Sequence, residues 1–474
     1  MNRFQRSLVL GAAWYALLLP PRAWSQEHQH GAPGQPPTSS PGATKGDDGM
    51  KGPSEEMDQS HHMHMGGMDQ MGGMPMESFA GIPMTREASG TSWQPESTPM
   101  HARHTMSGLW RTMQHYNGFL SYDNQSGPRG GDQVNGIGWY MLMASRPLGK
   151  GELMLRTMLS PEPASIGNRG YPLLFQSGEA FHGQPLVDRQ HPHDLFMELA
   201  ARYRHAIDNR TAAFVYLAPS GEPALGPTAF PHRASSMDNP AAPISHHWQD
   251  STHISFGVLT AGVSRGSWQV EGSWFNGREP DENRWDIDPI RLDSYSGRIT
   301  FNPGPNWSLQ GSYGWLRSPE ELRPDETRRR TTFSATWNRP TQNGGNLAAT
   351  FAWGRNNGGR IDSDGFLLEA DCDLGDRNTI FGRLEHVDKL GEDLALLPAD
   401  RKIPITSLTL GAVRDLTPGR DYNAGVGLAV TYNWKPQDLD SVYGGSTIGV
   451  WIFLRVRPAS THSMHMQMGA PHHH

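Results

Sequence analysis

Two stretches of this chain are crowded with sulfur and imidazole donors. SHHMHMGGMDQMGGMPM runs from Ser60 to Met76, and HSMHMQMGAPHHH closes the chain from His462 to His474. Thioether sulfur is a soft ligand. Met63, Met65, Met68, Met71, Met74 and Met76, with Met464, Met466 and Met468, therefore suit Cu(I) or Ag(I) better than zinc, magnesium or calcium. Interleaved imidazoles at His61, His62, His64, His462 and His465 suit Cu(II). The irregular spacing predicts several weak, exchangeable sites and no fixed cage. Hydrophilic tails with incidental methionine are the plainer reading, and a cloning tag would account for His472–His474. The recurrence of Met-His-Met at both ends favours metal binding.

A second constellation is spread over RQHPHDLFMELA (Arg189–Ala200), SHHWQDSTHISFG (Ser245–Gly257) and FNGREPDENRWDIDP (Phe275–Pro289). It offers His191, His193, Asp194, His246, His247, Asp250 and His253, with Glu279, Asp281, Glu282 and Asp286 close by. Neutral imidazole with carboxylate suits a divalent transition metal or a polar solute. The blander alternative is an ion-paired network that pins long loops, with Arg189, Arg233, Arg278 and Arg284 as partners. No serine-hydrolase elbow, zinc-protease helix or phosphate loop accompanies these residues, so no enzyme is expected.

What must position these groups follows from the rest of the chain. Arg3 and Arg6, the apolar run Leu8–Leu19 and the small residues of Ala23-Trp24-Ser25 read as an export signal over 1–25. That apolar run is shorter than the roughly 20 residues a membrane-spanning helix needs. The formal charge of −7 gives no reason to expect a nucleic-acid partner, and the single cysteine, Cys372, excludes an internal disulfide. Residues 26–106 are rich in Gly, Pro, Ser, Gln, Met and His, which predicts disorder in one segment, and 459–474 repeats that composition. The 26–106 segment also lacks the hydrophobic pattern needed to fold a plug, which disfavours a TonB-dependent receptor.

Between them, over 107–458, the pattern changes to period two. Tyr422, Ala424, Val426, Leu428, Val430 and Tyr432 alternate with Asn423, Gly425, Gly427, Ala429 and Thr431. Trp307–Trp315, Thr331–Trp337 and Ile448–Val456 repeat the alternation. Strands of this length match a tilted bilayer crossing, with hydrocarbon outside and a polar lumen inside. Connections alternate between tight joins and long segments. The prediction is an all-β fold: a transmembrane antiparallel up-and-down barrel of about sixteen strands (14–18 allowed), both termini on the short-turn, periplasmic side. By parity, Glu198, Arg202, Glu271, Arg298, Arg383, Glu385, Arg455 and Arg457 face the lumen, where rings of charge tune ion selectivity or pair between strands. Phe196 joins Glu198 and Arg202 inside, whereas Leu195, Met197 and Leu199 are placed toward lipid. Trp268, Trp274, Trp337, Trp353 and Trp434 read as interface girdle. The His/Asp constellation then falls at the extracellular mouth.

Export signal, Met/His-rich segment at Met57–Met76 and barrel together resemble the copper-resistance type B outer-membrane proteins. That resemblance implies binding or sequestration of copper at the envelope of a Gram-negative bacterium. The barrel is longer than that family's, and HPHDLFMELA and HHWQDSTHISFG are not its motifs. Gly449, Ile452 and Leu454 partly fit the C-terminal signal read by the outer-membrane assembly machinery. The competing readings are a general porin or small-solute channel with incidental tails, and an adhesion or structural barrel. Partners are expected to be outer-membrane lipid and metal ions or small solutes, with an oligomer allowed.

Overall fold

A computed structural model describes residues 78–460 apart from 343, 360 and 419. The export signal and the Met/His stretches at 60–76 and 462–474 lie outside the described residues.

Alternating apolar and polar residues make long strands here because each face meets a different medium. Sixteen of them form the barrel wall: β1 (Trp110–Gln125), β2 (Gly131–Leu148), β3 (Gly151–Leu159), β4 (Phe196–Ala206), β5 (Thr211–Gly221), β6 (Ser255–Arg265), β7 (Trp268–Phe275) and β8 (Ser294–Gly304). The second half comprises β9 (Trp307–Arg317), β10 (Thr327–Pro340), β11 (Asn346–Asn357), β12 (Ser363–Leu374), β13 (Asn378–Leu390), β14 (Lys402–Asp415), β15 (Tyr422–Trp434) and β16 (Thr447–Pro458). Each pairs antiparallel with its sequence neighbours, and the sheet closes into a barrel. β16 seals it against β1, from Gly449 opposite Gln125 to Val456 opposite Gly118. Below that point a short strand, Ala102–Ser107, takes over the edge of β1, from His115 down to Trp110. No ring strand is left with a free edge.

Exposure follows parity. On β15, Val426, Leu428 and Val430 are exposed while Gly427, Ala429 and Thr431 are buried. Trp268, Trp274 and Trp434 stand outside; Trp337 and Trp353 are half-buried. The tight joins occur where expected, but short-long alternation relaxes, since 126–130 and 358–362 on the long-loop side are also brief. Both described ends of the chain lie at the short-turn end: the Ala459 amide bonds to Asp421 O (3.2 Å), and the Arg204 guanidinium lies over the Phe79 ring (4.9 Å).

Two further sequence expectations are corrected. Residues 78–106 are folded, where disorder was expected. The stretch 84–98 is short of apolar residues but rich in hydroxyls, charges and backbone amides that lumen side chains can satisfy, and Trp93 anchors it at 6% exposure. It acts as a small plug, held by polar contacts in place of a hydrophobic core. Met197 turns inward and is buried, because the ladder between β4 and β3 slips between Phe196 and Glu198. A bulge of this kind brings two successive side chains to one face. Of the two readings left open for the lumen charges, selective rings or pairing, the contacts described next favour pairing.

Candidate functional site

The lumen is obstructed from both ends. From the turn end, Arg86 bonds to Gly266 O (2.6 Å), Ser97 to Asn338 O (2.8 Å) and Asn302 to Gln94 O (2.8 Å). Glu87 pairs with Arg202 (2.8 Å) and Arg204 (2.5 Å) on β4, and Gln269 donates to Thr91 O (2.7 Å). From the other end, the connection 222–254 between β5 and β6 is almost wholly buried. Its proline-, alanine- and serine-rich sequence carries little charge and folds inward across the ring. Asn117 on β1 bonds to Met237 O (2.8 Å), Arg383 on β13 reaches Ser236 Oγ (2.6 Å) and Ala241 O (2.7 Å), and Glu385 accepts from Ser245 Oγ (2.8 Å). The two inserts meet mid-lumen, where the Ala229 amide donates to Ser89 Oγ (3.0 Å) and Thr228 Oγ1 to Trp93 O (3.3 Å).

The lumen-facing charges predicted by parity are all inside and buried, and each is engaged. Glu198 pairs with Arg156 (2.8 Å), Glu271 with Arg298 (2.9 Å), and Arg383 with Glu369 (3.1 Å). Arg455 pairs with Asp238 of the inward loop and with Asp415, and Arg457 with Asp238 (3.4 Å). Water has been replaced around these groups, so an unpaired charge would be costly and pairing is required. They fasten the inserts, and among the described residues these charges are taken up by pairing.

At the long-loop end the predicted histidines do converge. His191, His193, His246, His247 and His253 are buried together, with ring centroids 5.3 Å apart for His193 and His253, 5.1 Å for His246 and His253, and 5.2 Å for His246 and His247. The Phe230 ring sits among them, 5.8, 5.4 and 5.6 Å from His193, His246 and His253. Each Nδ1 is occupied: His193 by Glu162 (2.9 Å), His246 by Asp250 (2.8 Å), His247 by Glu279 (3.2 Å), His253 by Asp250 O (2.8 Å) and His191 by Pro192 O (3.1 Å). Burial drives His247 down to about 3 and also lowers His246 and His253, so these rings are neutral near pH 7. Burial also lowers His193, but the Glu162 carboxylate outweighs it and the net shift is upward.

Arg233 ties Asp250 to Glu369 on β12, at 2.6 Å each, and Arg284 joins Glu179 (2.7 Å) to Asp194 (3.3 Å). Burial pushes Asp194 up to about 7, partly offset by Arg284. Arg189 and Arg278 are not part of this network; they bond to Gln133 and Ser318. Asp281 is apart as well. Among the described residues, the one set of three His, Asp or Glu donors within 4.8 Å of one another is Asp281, Asp286 and Asp288, which is largely exposed. The buried imidazoles do not reach that spacing and form a network that pins the loops. Glu162, Glu179 and Phe230 were not singled out in the sequence. The two carboxylates sit well upstream of the histidines they hold, and no spacing rule links them.

No family model matches the chain, and no curated protein does. Among solved structures it is similar to an OmpF from Salmonella typhi solved with daunomycin (9% identity, TM-score 0.47, covering 75% of this chain and 100% of that one). It is also similar to an anion-selective porin from Comamonas acidovorans (12% identity, TM-score 0.45, 73% and 99%) and to OccAB1 from Acinetobacter baumannii (8% identity, TM-score 0.40, 78% and 100%).

Proposed function

We propose that the chain is a porin-like barrel of a Gram-negative outer membrane, a channel for ions or small solutes that its own inserts constrict. The carrying observation is the outer face of the closed ring. Leu142, Leu155, Val270, Phe333, Leu368, Ile380, Leu410 and Ile452 are exposed on strands distributed around the ring, beside exposed Trp274, Tyr295 and Trp434. A contiguous apolar surface of this kind would be a liability in water and is what lipid requires. Short turns face the periplasm in such barrels, and the described chain ends at the short-turn end support a periplasmic side for the flanking Met/His stretches. Handling of copper or silver is the finer reading, supported by the soft donors in those stretches.

Planar-bilayer recording tests the channel. Wild-type protein is expected to conduct weakly or in rare openings, and a variant lacking 84–98 to conduct several-fold more. A variant that stays silent, or a mature chain that is soluble without detergent, overturns the reading. The metal component is tested by elemental analysis of protein from outer membranes. Bound copper should fall when 60–76 and 461–474 are removed; unchanged copper content would refute a role for those stretches.

A further inference from the structure

The methionines of the described residues are unevenly placed. Apart from exposed Met106 and from Met237 on the inward loop, they collect on one side of the lumen, against β1–β4, and the sequence between Met237 and Met464 has none. Elsewhere the lumen wall combines Ser, Thr, Gln, Arg and Glu with aromatic and β-branched residues such as Phe381, Ile405, Trp451 and Phe453, and with no methionine. The outward face of the same strands carries Leu120, Leu142 and Leu155. Apolar filling alone would draw on β-branched or aromatic residues, which strands favour over methionine.

Register puts donors of one chemical kind side by side. His115 on β1 is directly opposite Met141 on β2, which is directly opposite Met158 on β3. Opposed side chains on one face have Cβ atoms about 4.5–5.5 Å apart, within the reach of flexible thioethers. A fourth donor arrives from the inward loop: His232 Nε2 is 3.3 Å from Met158 Sδ. Bonds of about 2.0–2.3 Å from nitrogen and sulfur to one metal ion would separate its ligand atoms by a little more than that. Trp139 packs against both imidazoles, with ring centroids 4.6 Å from His115 and 4.5 Å from His232, and supplies an aromatic face beside the donors. One row toward the turn end, Met113 is directly opposite Met143.

We propose that His115, Met141, Met158 and His232 form a lumenal binding site for a soft monovalent cation, Cu(I) or Ag(I). Met113 and Met143 continue the thioether lining toward the periplasmic end. The proposal rests on the soft-metal reading of the function and gives the ion a place inside the barrel. The donor set is neutral and soft, so it selects against sodium, magnesium and calcium, which need oxygen ligands.

The test uses the full chain in detergent, labelled with ¹³C at the methionine methyls and titrated with silver nitrate. Methyl resonances of Met141 and Met158, assigned through M141L and M158L, are expected to shift before silver reaches saturation. The M141L/M158L variant, its barrel checked by heat-modifiable gel mobility, is expected to lose one bound silver by equilibrium dialysis. A variant with Met63, Met65, Met68, Met464 and Met466 changed to Leu should keep that equivalent. If only the methyls of the terminal stretches shift, the lumenal site is refuted while the soft-metal reading stands. If no methyl shifts, both fall.

Discussion

Glu87 carries the ion pairs that tie the plug to β4. Burial by itself would raise its carboxyl, but Arg202 and Arg204 outweigh that and hold it down to about 2. A depressed carboxylate contributes stability that is present above its ordinary value of 4.5 and is lost as pH falls toward 2. Acidification through that window should therefore loosen the plug and raise conductance, and Glu87→Gln should raise conductance at neutral pH and flatten the acid response. A Gln variant with the wild-type pH profile would refute this. Asp250 plays the matching part in the inward loop, where it accepts from Arg233 and His246. Removing one member of a buried pair costs about 3–5 kcal/mol. Because Arg233 keeps Glu369, Asp250→Asn is expected to cost about 3 kcal/mol and to speed amide exchange across 222–254, with the ring strands unaffected.

At the scale of elements, the inward loop needs a seat as well as charges. Gly354 on β11 and Gly365 on β12 are directly paired, and Trp248 of the short helix His246–Gln249 lies against both. A Cβ at Gly354 would come within 1.9 Å of Trp248 O, and one at Gly365 within 2.9 Å of the Trp248 side chain. Gly354→Val should therefore lift the helix off the wall. The expected outcome is loss of the Trp248-to-Ser363 hydrogen bond, seen as a changed tryptophan environment, together with increased conductance. Unchanged fluorescence and conductance would show that the notch does not seat the loop. The bulge in β4 belongs to this scale too: it turns Met197 and Glu198 inward together, at a position where strict alternation assigns one of them to lipid.

For the whole molecule, closure makes the ring a unit separable from what fills it. Hydrogen bonds of the wall run strand to strand, whereas the plug and the inward loop are held largely by side-chain contacts with the wall, some reaching in from it and some reaching out to it. Deleting 84–98 or shortening 226–249 should then leave heat-modifiable mobility and strand content intact while conductance rises. Collapse of the barrel in either variant would show instead that the inserts are structural to the ring. A protease added outside intact cells should fail to cut at 60–76; cleavage there would reverse the assignment of sides.

Period-two alternation, the Trp and Tyr positions and the tight joins were enough to read strands, faces and the count of sixteen, because a wall between lipid and lumen imposes the same local rule at every residue. That rule also placed Glu198, Arg298, Arg383 and Arg455 inside. It left open whether those charges pair: Arg298 and Arg383 meet Glu271 and Glu369 on the neighbouring strand, but Arg455 meets Asp238, which is remote in sequence. The fate of 84–98 and 222–254 was equally hidden: neither has an amphipathic pattern, and what folds them is a set of polar partners that exists only once the ring has closed. The row of His115, Met141 and Met158 is decided by strand register, and His232 joins it only through the path of a loop. Short-range chemistry wrote the cylinder; long-range closure decided its contents.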